Sequence, residues 1–395
     1  TPPPLSLAQQ RAWYLEQLQA GRPLFNMPAA FRLHGTVDAA ALQRAVDLLV
    51  ERHAALRTSI ALHDGVPFQA IAAHIRVPIQ FEDLTAATPD LDATSLAERL
   101  DAEAARPFDI GAPPLLRAHL WRTAATEHVF LLVVHHAIFD GTSLAIVLEE
   151  FGAVYASLVA GEPAYLPAVP ATYADFAEWH RAWMTGPELA RQLTFWQHQL
   201  AGAPEALDLP TDFPRPATMS GAGATAWLAI DAATADGLRR VARQCGATPF
   251  MVLAAAWSAF LAQLTRQSEV VLGTPVHGRV HPDLARVVGF FANAIPLRIA
   301  IDVTLSFRDL VASVRATTID AFDAQDVPFE HLVRVVDRTR DPSRSPIYQA
   351  VIAYQDRRAR APHWGPVELE PLRVFPPAAM QDLALWLSDT TDGLI

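Results

Sequence analysis

The chain contains no lysine: all 31 basic residues are arginine, set against 42 acidic residues for a net charge of −11. Without basic runs it lacks the electrostatic footprint that phosphate backbones require, so no nucleic-acid partner is expected. Isolated arginines still suit bidentate contacts with carboxylate or phosphate. Cysteine is nearly absent as well. Cys245 alone cannot close an intramolecular disulfide, which fits a reducing, cytoplasmic setting. A membrane-length apolar run is also missing. The longest apolar helix candidate, PFMVLAAAWSAFLAQL after Thr248, falls short of the ~20 residues a bilayer requires, so no membrane association is expected. It reads as a buried core helix with Thr248 as N-cap and Pro249 in the first turn.

What is present describes a globular protein: 51% hydrophobic against 18% charged, over 395 residues. That length predicts two lobes of roughly 150 to 200 residues each. The 31 prolines imply many extended connections, and the densest charge-poor stretch, GEPAYLPAVPATY (161–173), is the expected inter-lobe connection. This places the lobes at 1–168 and 169–395. The chain begins on Thr1 without a methionine, so a segment of a longer protein is expected.

Both halves alternate helical and strand-like patterns. Residues 5–18 look helical, AAFRLHG reads as a strand, and Asp38 caps a helix with Leu42, Val46, Leu49, His53 and Leu56 at helical spacing. RTSIALH and VPFQAIA flank Asp64-Gly65, a hairpin signal. Residues 129–134 form an apolar strand, and a helix starts at Ser143 with Leu144, Val147, Leu148, Phe151, Val154 and Leu158 on one face. The second half predicts helical material to Leu200, a strand at TAWLAI, helices at 234–244, 249–264 and 306–323, and strands at VVLG, IPLRIAI, YQAVIAY and LALWLS. The two halves share no residue-level repeat.

The apolar strand ends on HHAIFDG: His135, His136, Asp140 and Gly141 in a strand-to-helix loop. From this composition the four residues at that spacing arise by chance on the order of once in a thousand such chains, so chance is a poor account. Three physical readings compete. The histidines could satisfy buried backbone carbonyls. They could bind a metal with Asp140, but adjacent strand residues point to opposite faces, and one ion cannot easily collect both imidazoles. Or one imidazole serves as general base in a cleft while the other points inward and Asp140, held by an arginine, braces the loop. Alternation alone does not say which histidine reaches substrate. Asp140, if buried, needs a cation; Arg57 and Arg279 are the candidates. His277 and His281 lack a third ligand, so no metal is expected.

HHAIFDG resembles the signature of nonribosomal peptide synthetase condensation domains, in the chloramphenicol acetyltransferase-like superfamily. Six further stretches agree in order: PLSLAQQRAWYLEQL with FNMP, RHAALRT, YADFAEWH, VLGTPVHGR with GFFANAIPLR, QDVPFEHLV, and RDPSRSPIYQAV. Seven motifs spanning nearly the whole chain are far more specific than HxxxDG alone. The resemblance implies an α/β fold of the α+β two-layer sandwich type, with two chloramphenicol acetyltransferase-like lobes in a V-shaped pseudo-dimer and an active-site tunnel at their interface. The family usually continues a few dozen residues beyond DLALWLSDTTDG, so the second lobe is expected to be incomplete at its C-terminus.

The implied chemistry is amide formation: an acyl group passes from a thioester on an upstream (donor) carrier domain to the amine of an aminoacyl group on a downstream (acceptor) one. The resemblance makes His136 the catalytic imidazole, with His135, Asp140, Gly141, Arg57 and Arg279 in support and the Gly141 amide as an oxyanion contact. It places Ser143, Asn293 and Ser345 along the substrate tunnel. Tyr173, Asp175 and Trp179 are read as lobe packing. The domain itself needs no cofactor; the carriers bring phosphopantetheine arms. A monomer, or part of a multidomain synthetase, is expected. Ala324 and Ser345 depart from the histidine and asparagine common at those places, which bears on acceptor geometry. The DFGWG of plant alcohol acyltransferases is absent, DGTSL differs from the DGVSW of epimerization domains, and the first histidine is not the aspartate of heterocyclization domains. The alternatives left are an ester-forming or chain-releasing enzyme with a hydroxyl acceptor, and a noncatalytic recruitment domain of the same fold.

Overall fold

The structure, a computed structural model, describes residues 2–18, 21–85, 93–336, 341–356 and 363–395. In chain order it runs α1 (Leu7–Leu18), β1 (Asn26–His34), α2 (Ala39–Arg52), β2 (Thr58–His63), β3 (Val66–Ile71), β4 (Ile79–Asp83), α3 (Ala93–Ala105), β5 (Leu116–Ala124), β6 (Glu127–His135), α4 (Gly141–Ala160) and α5 (Tyr173–Trp183). There follow α6 (Pro187–Leu200), β7 (Ile230–Asp231), α7 (Ala232–Gln244), α8 (Pro249–Thr265), β8 (Glu269–Val276), β9 (Asn293–Ala300), α9 (Phe307–Asp323), α10 (Phe329–Val335), β10 (Ala350–Asp356), β11 (His363–Trp364), β12 (Val367–Leu372), β13 (Leu383–Thr390) and β14 (Gly393–Leu394).

Two compact units emerge, and neither is one stretch of sequence. The first comprises Thr1–Met184, Arg279–Ala292 and Ala361–Ala378; the second comprises Thr185–Gly278, Asn293–Arg360 and Ala379–Ile395. The boundary expected between 168 and 169 falls in coil ahead of α5, which the first unit also contains.

The first unit is built on a six-stranded sheet in the order β11-β12-β1-β6-β5-β4. β6 is central, and every residue after Glu127 is buried. Its odd-numbered side chains, Val129, Leu131 and Val133, pack with Leu96, Leu100 and Ala104 of α3. On the other side Phe130 meets Phe151 of α4 and Trp364 of β11, at 5.7 and 5.6 Å between ring centroids. A strand covered on both faces must be apolar throughout, which is why 129–134 shows no alternation. Burying each leucine of α3 contributes about 1.5–3 kcal/mol.

Local chemistry matches the elements. Asp38 caps α2, accepting from the Ala41 amide at 2.9 Å. Asp64 and Gly65 both adopt left-handed φ (50° and 78°), as a two-residue hairpin turn requires. The helix expected to begin at Ser143 begins at Gly141, because Asp140 is its N-cap and Ser143 the third helical residue. At 20 residues α4 is long and apolar enough, by composition alone, to cross a membrane. It is nevertheless a core helix, with Phe151, Val154 and Tyr155 buried and Glu150 ion-paired inside the unit.

The second unit carries its own six-stranded sheet, order β7-β14-β13-β10-β8-β9, with β10 parallel to both neighbours. Thr248 caps α8 by accepting from the Met251 amide at 3.3 Å, with Pro249 at the first position. Of TAWLAI, Ile230 alone enters a strand among the described residues, and with Asp231 it pairs the two residues of β14. The buried Asp389 of β13 is held by Arg239 of α7 and Tyr354 of β10.

Candidate functional site

β6 ends at His135, the chain turns through a single 3-10 turn at His136–Ile138, Phe139 is extended, and Asp140 opens α4. The two histidines meet opposite fates. His135 is buried, its ring between Phe25 and Phe108 at 5.8 and 5.9 Å. Its Nδ1 accepts the Ala137 amide at 3.1 Å, so its proton sits on Nε2 and is donated to Glu16 Oε1 at 3.2 Å.

His136 is partly exposed. Its Nδ1 donates to the Phe139 carbonyl at 2.7 Å, which leaves the Nε2 lone pair without a hydrogen bond among the described residues. The Phe290 ring lies 4.2 Å away. Burial pushes the His136 pKa below the usual histidine value; the Asp140 charge opposes this without overcoming it. The ring is thus a neutral imidazole with one committed and one available nitrogen.

Asp140 is buried and receives four hydrogen bonds: the Ser143 amide (2.7 Å) and Arg279 Nη2 (3.1 Å) on Oδ1, and Arg279 Nη1 (2.9 Å) and the Phe291 amide (3.0 Å) on Oδ2. Arg279 also donates to Ser143 Oγ and the Val287 carbonyl, and its guanidinium stands 4.3 Å over the Phe291 ring. The cation that Asp140 needs is therefore Arg279. Arg57 does not reach it: it binds the Val50 and Glu51 carbonyls ending α2 and the Ala72 and Ala73 carbonyls beyond β3.

Ser143, expected along a tunnel, is fully buried; its hydroxyl donates to the Gly289 carbonyl (2.9 Å) and accepts the Gly289 amide (3.0 Å). It fastens α4 to residues 279–292 and lines nothing open. Gly141 is exposed, and as the first residue of α4 its amide has no intrahelical acceptor. Asn293 and Ser345 lie in the second unit. The Asn293 amide nitrogen donates to the Gln325 and Val327 carbonyls at 2.8 and 2.7 Å, and its oxygen accepts the Phe329 amide at 3.2 Å, so it braces the entry to α10. Ser345 offers its carbonyl to Gln349 at 2.8 Å.

Three parts of this arrangement were not read from the sequence. Gln9 of α1 donates to the Ala137 carbonyl at 3.1 Å, and Glu16 of the same helix holds His135. Tyr173, read as packing, donates from its hydroxyl to the Phe290 carbonyl (2.6 Å) while Ser6 Oγ donates to it (2.7 Å). Its ring fills the space beside Gly289, where a Cβ would come within 2.1 Å. Further along α4, Glu150 accepts from Arg52, His53 and Arg286 at 3.0, 2.7 and 3.1 Å. Burial alone would raise the Glu150 pKa, but the hydrogen bonds from His53 and Arg52 outweigh it and hold it down at about 2. Helical spacing of α1 and the polarity of Glu150 on an otherwise apolar face were the available signals.

Comparison with known proteins gives a consistent picture. The family model described as Condensation domain matches residues 2–362. The chain is 39% identical over 372 residues to a linear gramicidin synthase protein of Brevibacillus parabrevis, covering 94% of this chain and 5% of that protein. It is 38% identical over 358 residues to phosphinothricin tripeptide synthetase PhsC of Streptomyces viridochromogenes, covering 90% and 33%. The chain thus spans a third or less of the length of these relatives. Among solved structures, the first condensation domain of the CDA synthetase matches with a TM-score of 0.86 at 22% identity, over 100% of this chain and 91% of that one. The X-domain in complex with OxyB from teicoplanin biosynthesis matches with a TM-score of 0.82 at 26% identity, over 100% and 86%.

Proposed function

This chain belongs to the condensation-domain family of nonribosomal peptide synthetases, and from that premise we propose that it joins an acyl thioester on a donor carrier domain to the amine of an aminoacyl group on an acceptor carrier domain. The amine nitrogen attacks the thioester carbonyl, the carbon–sulfur bond breaks as the tetrahedral intermediate collapses, and the donor arm leaves as a thiol. The supporting observation is the state of His136: a neutral imidazole whose Nδ1 proton is tied to Phe139, leaving Nε2 to receive a proton. Nε2 takes the proton released as the amine adds and returns it to the departing sulfur.

Magnitudes assign the labour. An α-amino group with pKa near 8 is roughly one tenth neutral at pH 7, so freeing it costs only about 1.4 kcal/mol. Holding two reactants together can contribute ~7–11 kcal/mol, against 10²- to 10⁴-fold from a positioned base. Placement of the two thioester arms therefore outweighs proton abstraction, and His136 serves chiefly to orient the amine. The Gly141 amide, which has no intrahelical acceptor at the positive end of α4, is suited to the oxyanion. The phosphopantetheine arms belong to the carrier partners. Those carriers are commonly acidic, so at −11 this chain repels them at long range and docking relies on local arginine or apolar patches. The reaction belongs in the cytoplasm, in line with the single cysteine.

A second reading, noncatalytic recruitment, draws on the likeness to the teicoplanin X-domain. One experiment decides: donor and acceptor carriers loaded with a small panel of thioesters are mixed with this chain, and products are identified by mass spectrometry. Amide product from the wild type, abolished or sharply reduced in His136→Ala with carrier binding intact, supports acyl transfer. Carrier binding without product from the wild type supports recruitment, and product only from hydroxyacyl acceptors identifies ester formation.

A further inference from the structure

Glu16 sits on α1, far in sequence from His136, and its side chain is only 11% exposed while it faces the buried ring of His135. Resting on the acyl-transfer reading, we propose that Glu16 is a positioning residue for His136, acting through the tautomer of His135.

The placement of the protons carries this role. His135 Nδ1 accepts the Ala137 amide at 3.1 Å, which only an unprotonated nitrogen can do. The ring then carries its proton on Nε2, and Glu16 Oε1 lies 3.2 Å from that nitrogen to accept it. Ala137 is the residue after His136, and its carbonyl is held by Gln9 Nε2 at 3.1 Å. The amide of His136 itself donates to the Phe25 carbonyl at 2.7 Å. The backbone flanking the His136 side chain is thus pinned on both sides, and the Ala137 amide is the group whose partner depends on a titratable ring. If His135 adopted the other tautomer or bound a second proton, Nδ1 would become a donor facing a donor. The Ala137 amide, buried, would lose its acceptor, and the 3-10 turn that aims His136 would loosen.

With Glu16 removed, the required tautomer loses the acceptor that favours it at Nε2. A carboxylate is not essential for this purpose; a side-chain carbonyl at the same place also accepts from Nε2. Glutamine should therefore substitute for Glu16, and leucine should not.

The test combines kinetics with ¹⁵N NMR of the histidine rings in the full chain. Wild type should show His135 as a neutral ring protonated at Nε2. Glu16→Leu should mix its tautomers and lower kcat about tenfold with KM for the loaded carriers unchanged, while Glu16→Gln keeps both close to wild type. A wild-type His135 protonated at Nδ1, or a Glu16→Leu enzyme with unaltered kcat, overturns the proposal; so does a Glu16→Gln loss as large as that of leucine. Because the wild-type ring is read directly, the idea stays testable even if Glu16→Leu fails to fold. A wild type that shows the expected ring but forms no product counts against acyl transfer and leaves the tautomer assignment standing.

Discussion

Asp140 and Arg279, 139 positions apart in sequence, face each other through two parallel hydrogen bonds of 2.9 and 3.1 Å in a buried setting. Desolvated ions of this kind are costly to leave half-paired. Arg279→Ala should lower the unfolding free energy by about 3–5 kcal/mol, and Arg279→Lys by less, because an ammonium keeps the charge without the fork. Urea denaturation of the three proteins reads the order wild type, lysine, alanine. Equal midpoints for wild type and alanine would show that the pair carries no weight.

The lowered pKa of His136 sets a second acid limb of turnover, below the one set by the acceptor amine. The neutral ring must accept a proton, and burial keeps it neutral to a pH below the ordinary histidine value. Once kcat is divided by the neutral fraction of the acceptor amine, which titrates near 8, its plot against pH should stay level through about pH 6.5 and fall only at more acidic values. The same sign holds for stability: the unfolded ring takes up its proton first, so any contribution from this group is present above about 6.5 and lost as the pH falls below it. A limb at or above about 6.5 that remains after the amine's own titration is divided out would contradict the neutral-ring assignment.

Glu150 offers a second pH dependence of opposite chemistry. Its carboxyl titrates near 2 in the folded chain, against an ordinary value of 4.5, so it favours folding above about 4.5 and ceases to as the pH drops toward 2. The difference corresponds to about 3 kcal/mol. Glu150→Gln should be less stable than wild type by a constant margin from neutral pH to roughly 5, with the margin narrowing below that. A margin independent of pH down to about 3 would mean that packing, not charge, accounts for it.

Gly152 of α4 is required by Trp364 of β11: a Cβ there would lie 2.6 Å from the indole Cδ1. Gly152→Ala should cost about 1–3 kcal/mol through overpacking, less the roughly 1 kcal/mol that alanine returns within a helix. In a Trp364→Ala background the indole collision is gone and only the His363 carbonyl, 3.1 Å from the added Cβ, remains, so the cost of the alanine should shrink. Thermal unfolding of the double-mutant cycle checks this, and an unchanged cost would remove Trp364 as the cause.

How much of this could be read in advance varied with the length scale of the physics. The unbroken run of β6, the caps Asp38 and Thr248 and the Asp64-Gly65 turn are local, and each appears where its chemistry put it. The HHAIFDG loop was likewise legible as a strand-to-helix junction. That Asp140 needed a cation followed from burial, but the choice of Arg279 over Arg57 depends on residues 279–292 entering the first unit, which no local pattern reports. Ser143 was misjudged for the same reason, since its hydroxyl turns toward Gly289 rather than outward. β5 and β12 escaped notice because LRAHLWRTA is buried irregularly and VELEPL is broken by Pro371. The pairing of β12 with β1, Ala30 opposite Leu372, is a decision taken by the whole sheet.

Ribosomal synthesis must meet this topology from one end. Asp140 emerges long before Arg279, and the place of Trp364 among Phe31, Phe130 and Phe151 stays vacant until residue 364 has been made. A nascent first unit therefore holds a carboxylate without its counter-ion and a sheet still short of two strands. Engineers who exchange halves of such proteins at a single junction after residue 184 would pair that carboxylate with an arginine, and that sheet with an edge, from a different parent. Grafts that carry 279–292 and 363–378 along with the N-terminal portion would keep each charge and each strand with the partner it was selected against.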